Sequence, residues 1–197
     1  MYDEASDIKK SAEARANENY ETAIFAGGCF WCMQPPFDKL PGVITTIAGY
    51  SGGPEENPTY KQVSYGKTGH AESVEIIYDP KKITYDELLD VYWRNIDPTD
   101  SEGQFADRGK QYRPAIFYLN EGQKKAAMDS REALHKSGRF DEPVVVEITE
   151  AGPFWDAEEY HQMFYKKDKA TYYGYRKGSG RDRFIQKHWG GESAKSH

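Results

Sequence analysis

Short apolar runs with strand spacing alternate along this chain with longer segments that have helical spacing. Strands are predicted at residues 22–26, 43–50, 70–78 and 115–119, and a further strand where Val144, Val146 and Ile148 alternate. Helices are predicted from Cys29 to about Pro35 and Pro36, over 85–96 behind a capping box, over 122–136 and over 156–166. One helical turn is expected at residues 59–63.

The order of these elements favours one fold class. Without the short turn, the order is strand, helix, strand, strand, helix, strand, followed by an extra helix and strand. This is the split βαβ order, in which the helices pack on one face of the sheet. We therefore predict an α+β fold, a ferredoxin-like two-layer α/β sandwich with an extra C-terminal helix and strand and an irregular tail.

Charge and apolar content divide the chain into one domain and two flanks. Residues 1–20 are polar and charged, so they bury too little surface to offset the entropy of ordering. We expect this N-terminal extension to be a tail or a loosely docked helix. Residues 21–170 are predicted to form the catalytic domain, with a polar loop at 97–111 long enough to suggest a function. Residues 171–197 are expected to form an irregular tail packed on the domain.

Composition and charge exclude several classes of partner. The chain has 197 residues and a net charge of -6, so it has no basic excess with which to neutralise phosphates, and we expect no nucleic acid partner. No apolar run approaches the roughly 20 residues that cross a bilayer, so we expect no membrane association. The N-terminus has no apolar signal region, which predicts a cytoplasmic protein. We also expect a monomer. An exported or periplasmic protein whose signal peptide had been replaced by Met1 would look the same.

The candidate chemistry lies in the stretch Gly-Gly-Cys-Phe-Trp-Cys at 27–32, which contains both cysteines of the chain. Cys29 follows two glycines at a predicted helix start, where free N–H groups and the helix dipole favour a thiolate and lower the thiol pKa. Cys32 lies one turn further on, so it could act as a resolving partner. Two alternatives stay open: the cysteines are simply buried, or they bind zinc with histidines drawn from His70, His135, His161 and His188.

Five separate blocks of sequence carry a family resemblance. They are Gly-Cys-Phe-Trp at 28–31, Gly-Tyr-Ser-Gly-Gly at 49–53, Asn-Pro-Thr-Tyr at 57–60, Thr-Gly-His-Ala-Glu at 68–72 and Gln-Tyr-Arg at 111–113. In order and spacing the chain resembles peptide methionine sulfoxide reductase A from about Ala23 to Lys167. The resemblance implies the ferredoxin-like fold and reduction of the S epimer of methionine sulfoxide, free or in proteins, without metal or organic cofactor.

The resemblance also implies roles for individual residues. Cys29 takes the place of the nucleophile, and Glu72 matches the acid that protonates the leaving oxygen. The alternation with Val74 and Ile76 places Glu72 at the apolar end of a strand, where burial favours the protonated form. Tyr60 and Tyr112 match two tyrosines whose hydroxyls hold the sulfoxide oxygen, since phenols donate without carrying charge.

The same resemblance implies a substrate pocket. Phe30 and Trp31 match the aromatic pair that surrounds the S-methyl group, a contact that aromatic faces favour. Asp107 lies at a position near the substrate, where it would bind the substrate backbone or a water. His161 also fits the pattern, but we expect a hydrogen-bonded structural histidine there.

Cys32 is a departure, because many members of the family have glycine at this position and resolving cysteines near the C-terminus. This chain has no cysteine there. We predict a two-cysteine Gly-Cys-Phe-Trp-Cys subtype, in which Cys32 condenses with a sulfenic acid on Cys29 and a thioredoxin-type reductant reopens the disulfide. The alternatives are a general C-x-x-C thiol-disulfide oxidoreductase, or a binding or zinc-holding module without enzymatic activity.

Overall fold

The computed structural model describes residues 4–190 of the chain. Its strands are β1 (Glu21–Gly27), β2 (Val43–Ser51), β3 (Ala71–Tyr78), β4 (Gly103–Gln104), β5 (Asp107–Arg108), β6 (Pro114–Tyr118), β7 (Glu147–Glu150) and β8 (Trp155–Asp156). Its α-helices are α1 (Glu4–Arg15), α2 (Phe30–Asp38), α3 (Tyr60–Ser64), α4 (Tyr85–Arg94), α5 (Glu121–Lys136), α6 (Phe164–Lys167), α7 (Lys169–Ser179) and α8 (Arg181–Trp189). Short 3₁₀ turns lie at Lys110–Tyr112 and Glu159–His161.

Six strands form the main sheet in the order β7-β6-β1-β3-β2-β8. The four central strands are antiparallel to one another, whereas the edge strand β7 is parallel to β6. With α2 after β1 and α4 after β3, this is the predicted ferredoxin-like order, and α5 and β7 are the predicted extra helix and strand. The two-residue strands β4 and β5 form a separate hairpin within the polar loop at 97–111.

Strand β3 is the centre of the fold, because all eight of its residues are buried. On one face of the sheet, the main core joins Phe25 of β1, Ile76 of β3, Leu88 and Tyr92 of α4 and Ile116 of β6. The prolines lie inside α2, which has nine residues and ends at Asp38, two residues beyond the predicted limit. The local signals in strands and helices therefore agree with the packing of the central domain.

The N-terminal extension is a helix docked on the sheet. Ala14 of α1 is buried against Ile47 and Ile77, and the Arg15 guanidinium donates to the Glu75 carboxylate at 2.7 Å. Arg15 also pairs with Asp156 of β8. Of the two forms expected for residues 1–20, the structure therefore contains the helix, from residue 4 onward.

The C-terminal part differs from the irregular tail predicted for residues 171–197. Residues 169–189 form α7 and α8, and residues 191–197 lie outside the described part of the chain. The Asp168 side chain caps α7 by accepting from Thr171 N–H at 3.0 Å, and Gly180 separates the helices in a left-handed conformation. Only Tyr172, Arg181 and Trp189 are buried in this part, so the apolar pattern is too sparse to predict helices.

The predicted helix over 156–166 is also wrong over most of its length. This segment contains the end of β8, a 3₁₀ turn at Glu159–His161 and only the first residues of α6. The Gln162 side chain interrupts it by exchanging hydrogen bonds with the backbone of Ala48 in β2, at 2.8 Å in each direction. Pairing with the sheet therefore replaces the helical bonds that the apolar spacing predicted.

A sharp turn between β1 and α2 brings the cysteine segment against the loop at 97–111. Gly28 has φ +82, and a Cβ there would lie 2.6 Å from Cβ of Gln104. Only glycine satisfies both the conformation and the close approach.

Within residues 4–190, no helix is both long and apolar enough to cross a bilayer.

We expect the capping box of α4 to contribute measurably to stability. The Thr84 hydroxyl accepts from Glu87 N–H, and the Glu87 carboxylate accepts from Thr84 N–H at 2.8 Å. Thr84→Ala should lower the free energy of unfolding by about 1 kcal/mol in urea titrations, because a helix N–H loses its partner. Thr84→Ser keeps the hydroxyl and is the matched control. Equal stability of the Ala variant and the wild type would contradict this role.

Candidate active site

Most of the predicted site residues meet at one small cavity of about 70 Å³. Its lining consists of Cys29, Phe30, Trp31, Tyr60, Glu72, Asp107, Tyr112 and Tyr175. The structure thus brings together every site residue that the sequence predicts except Cys32, and it adds Tyr175. The contributors come from the start of α2, the start of α3, β3, the loop at 97–112 and α7.

Cys29 is the N-cap residue of α2, and its side chain is only 7 % exposed. The sequence predicts a lowered thiol pKa at this helix start, but the structure shows the opposite for Cys29. Burial raises the pKa of Cys29 well above its ordinary value, and its hydrogen bond with Cys32 and the charge of Glu72 act in the same direction. The helix start was visible in the sequence, whereas this burial was not.

Cys32 lies fully buried one turn later and behaves differently. A hydrogen bond from Cys29 lowers the pKa of Cys32 to about 7, although burial opposes this, and the charges of Arg181 and Arg176 add to the lowering. Through this hydrogen bond the Cys29 S–H stabilises a thiolate on Cys32. Both cysteines are free thiols in this structure.

Glu72 is the second residue of β3 and is only 2 % exposed. One carboxylate oxygen, Oε2, accepts from Phe30 N–H at 3.1 Å. Burial raises the pKa of Glu72 to about 8, more than the bond from Phe30 lowers it, and the charge of Asp107 adds to the rise. At neutral pH Glu72 is therefore largely a carboxylic acid, which can donate a proton into the cavity.

Two phenols face the same space from separate elements. Tyr60 begins α3, where Thr59 forms a capping box and the Glu158 carboxylate accepts from Tyr60 N–H at 3.0 Å. Burial, followed by the charge of Glu72, raises the pKa of Tyr60 to about 12. Tyr112 ends a 3₁₀ turn, and the same two causes raise its pKa as well. Both hydroxyls therefore keep their protons and can act as donors.

The aromatic wall of the cavity is built around a buried histidine. Phe30 is 1 % exposed, and its ring centroid lies 4.9 Å from that of His161. Trp31 stacks on Phe164 with centroids 3.9 Å apart, and its Nε1–H donates to His161 Nδ1 at 3.1 Å. Burial lowers the pKa of His161 to about 4, so a neutral imidazole accepts this bond. The structural position expected for His161 agrees with this arrangement.

Asp107 and Tyr175 close the cavity on the side of the C-terminal helices. The Tyr175 hydroxyl donates to the Asp107 carboxylate, and its ring meets Trp31 edge-on at 6.0 Å. Burial raises the pKa of Asp107, although the bond from Tyr175 opposes the shift. Sequence reasoning missed Tyr175 because it is one of 15 tyrosines and lies in the predicted tail.

The zinc alternative required several histidines to converge on the cysteines. Within residues 4–190, no group of three or more His, Cys, Asp or Glu side chains is arranged to hold a metal ion. His70 instead bonds the loop at 53–55, through Gly53 N–H at 3.2 Å and the Glu55 carbonyl at 2.8 Å.

Comparison with protein families places this site in a known context. The family model described as "Peptide methionine sulfoxide reductase" matches residues 21–193, which is most of the chain. The chain belongs to this family. The resemblance inferred from the five sequence blocks is therefore confirmed for the family as a whole.

Individual members of the reductase family are similar over nearly their whole length. Peptide methionine sulfoxide reductase MsrA of Bacillus licheniformis is 54% identical over 173 residues, which cover 88% of this chain and 96% of that protein. MsrA of Listeria innocua is 56% identical over 174 residues, 88% and 98% of the two chains. The solved structure of methionine sulfoxide reductase A from Corynebacterium diphtheriae has a TM-score of 0.75 at 33% identity and covers 79% of this chain and 78% of that one.

The burial of Glu72 predicts a specific dependence of stability on pH. Its pKa is about 8 in the folded reductase and near 4.5 when the chain is unfolded. At pH values between these two pKa values, Glu72 is protonated in the folded state and ionised in the unfolded state. As pH rises through this range, Glu72 therefore lowers the free energy of unfolding by about 1.4 kcal/mol per pH unit. Urea unfolding between pH 5 and 8 should show that the stability of Glu72→Gln relative to wild type increases with pH.

An exposed carboxylate provides the control for this titration. Glu150→Gln removes an acid at the exposed end of β7 and should leave the slope unchanged. A constant difference between Glu72→Gln and wild type across the range would show that Glu72 ionises with an ordinary pKa in the folded protein.

Proposed function

We propose that this protein reduces the S epimer of methionine sulfoxide, free or in proteins, to methionine by thiol chemistry on Cys29. The observation that carries the proposal is a neutral carboxylic acid, Glu72, at the same small cavity as the Cys29 thiol. Oxide is a poor leaving group, so a proton donor beside the nucleophile is what this reaction requires. Membership of the reductase family supports the same conclusion.

In the first step, the Cys29 sulfur attacks the sulfoxide sulfur while Glu72 donates a proton to the oxygen. The hydroxyls of Tyr60 and Tyr112 hold that oxygen as hydrogen-bond donors, without introducing charge into a dry site. The oxygen then passes to Cys29. Methionine leaves, the cysteine becomes a sulfenic acid, and the proton of the original thiol restores Glu72.

The cavity suits the end of a methionine side chain rather than a whole residue. Phe30 and Trp31 provide apolar faces for the S-methyl group. Asp107 with Tyr175 forms the polar side, where we place the substrate backbone or a bridging water. The cavity volume of about 70 Å³ limits entry to small groups.

Cys32 is the resolving residue in this proposal, which makes the protein a two-cysteine Gly-Cys-Phe-Trp-Cys member of the family. The sequence contains no cysteine besides Cys29 and Cys32. The Cys32 thiolate attacks the sulfur of the sulfenic acid and a disulfide forms. The leaving hydroxide takes a proton from solvent to become water. A dithiol reductant of the thioredoxin type then reopens the disulfide and is itself oxidised.

The remaining assignments are proposals from sequence. We propose a monomer that works in the cytoplasm, with oxidised proteins and a thioredoxin-type reductant as its partners. The net charge of -6 supports the absence of nucleic acid from this set.

Turnover of the separate epimers tests the proposed activity. With thioredoxin and its reductase, the wild type should reduce the S epimer and leave the R epimer unchanged. Glu72→Gln should lower kcat/KM by at least about a hundredfold, since a general acid contributes 10²–10⁴ in rate. Glu150→Gln is the control for the substitution itself. Full sulfoxide reductase activity in Glu72→Gln would refute the mechanism and favour a general thiol-disulfide oxidoreductase.

A second experiment tests the resolving role alone. Cys32→Ser should still form one equivalent of methionine per enzyme when no reductant is present. It should then accumulate a sulfenic acid that dimedone traps, because no second thiol condenses with it. Normal steady-state turnover of Cys32→Ser with thioredoxin would show that the reductant acts directly on Cys29.

A further inference from the structure

Two arginines from the C-terminal helices reach the backbone on either side of the cysteine pair. Arg176 of α7 donates from Nη1 to the Cys32 carbonyl at 3.2 Å. Arg181, the first residue of α8, donates from Nη2 to the Gly27 carbonyl at 2.9 Å. The two guanidinium groups therefore hold both ends of the segment from Gly27 to Cys32.

Arg181 lies buried in the protein interior, where a charged side chain is energetically unfavourable. It is only 1 % exposed, its Nε has no hydrogen-bond partner, and no carboxylate in the described part of the chain forms an ion pair with it. Besides Gly27, it donates to the Asn95 carbonyl at 2.5 Å and lies 4.7 Å from the Phe105 ring. Burial raises the pKa of the Asp107 carboxyl group, and the charge of Arg181 interacts with that group and opposes the rise. A buried cation is unfavourable unless anions offset its charge, and a negative charge on Cys32 would be a second such partner.

Arg176 is held in position by its own helix and the next. Its Nε donates to the Asp182 carboxylate at 2.8 Å, and Nη1 also donates to the Tyr172 hydroxyl at 3.3 Å. The Arg176 side chain is only 15% exposed, so its charge is weakly screened at the site. These contacts direct the guanidinium toward Cys32 rather than into solvent.

We propose that Arg176 and Arg181 are positioning residues for disulfide formation, which fix the backbone around the two cysteines and stabilise the negative charge on Cys32 as it attacks Cys29. This inference rests on the proposed function. In that step the Cys32 thiolate donates an electron pair to the Cys29 sulfur, the S–O bond breaks, and the leaving hydroxide takes a proton from solvent to become water.

The surroundings of Cys32 support this assignment. The titratable and charged groups around it come from α2, β3, β5, α6, α7 and α8: Cys29, Glu72, Asp107, Tyr165, Tyr172, Tyr175, Arg176 and Arg181. The two arginines are the cations of this set. Their charges favour the thiolate after the larger effect of the bond from Cys29, whereas Asp107 opposes it.

Arg176 offers the sharper test because it is not fully buried. Arg176→Gln keeps a hydrogen-bond donor and removes the charge, whereas Arg176→Lys keeps the charge. Arg183→Gln removes a positive charge from the exposed side of α8 and is the matched control. Each enzyme is mixed without reductant with one equivalent of the S epimer, and methionine release and thiol loss are followed by rapid quench between pH 5.5 and 9.

In Arg176→Gln we expect the rate of loss of the Cys32 thiol to be about fivefold lower at pH 6.5, because the thiolate fraction of Cys32 falls. The midpoint of the rise of this rate with pH should lie at a higher pH than in wild type. Arg176→Lys and Arg183→Gln should keep the wild-type midpoint. Arg181→Gln should raise the midpoint further, because its charge is fully buried. If Arg181→Gln does not fold, the comparison of the midpoints of Arg176→Gln and Arg176→Lys tests the inference on its own.

Two results would overturn the inference. One is an unchanged midpoint in Arg176→Gln, whether or not thiol loss is slower, since a merely structural role leaves the midpoint in place. The other is an equal midpoint shift in Arg176→Lys and Arg176→Gln, which would exclude the charge as its cause. Failure of the wild type to release methionine would instead refute the proposed function, and the two failures are therefore distinguishable.

Discussion

A carboxylic acid buried beneath the first turn of a helix is the constraint on which this site depends. Among residues 4–190, the Glu72 carboxyl group has one backbone donor, the Phe30 N–H, which belongs to the free N–H groups at the start of α2. One bond therefore satisfies the acid and the helix terminus together and fixes β3 against α2. Because Cys29 is the N-cap of that helix, the same bond places the thiol beside the acid. Loss of this contact would separate the two groups and leave the Glu72 carboxyl group buried without its backbone partner.

The single turn between the two cysteines separates two electrostatic environments. Cys29 faces the carboxyl groups of Glu72 and Asp107, which discourage a thiolate there, whereas Cys32 faces Arg176 and Arg181. The first environment keeps an acid protonated, and the second suits the resolving role that we propose for Cys32. Sequence elements far apart in the chain supply the two sets of charges. The two cysteines of the C-x-x-C motif therefore differ in their electrostatic surroundings because of residues outside the motif.

Local signals in the sequence predicted the central fold, because capping residues and alternation act over a few residues. The capping box before α4 and the alternation in β3 are examples. Most of the cavity residues were identified instead by the resemblance of their motifs to a known family. The helices α7 and α8 were missed because long-range contacts of Tyr172 and Trp189, rather than a periodic apolar face, anchor them. The raised pKa of Cys29 was missed for the same reason: its burial and the carboxylates that face it depend on tertiary packing.

The position of Phe30 and Trp31 between the two cysteines has a mechanical consequence. A bond between the two sulfurs would close a small ring of four residues at the N-terminus of α2, and its two inner members are the aromatic walls of the cavity. Ring closure constrains the backbone of both walls and therefore changes the shape that a methyl group meets. Oxidation state and pocket shape are then coupled within one helical turn. The reduced and the disulfide forms of such an enzyme would therefore present differently shaped cavity walls to the substrate.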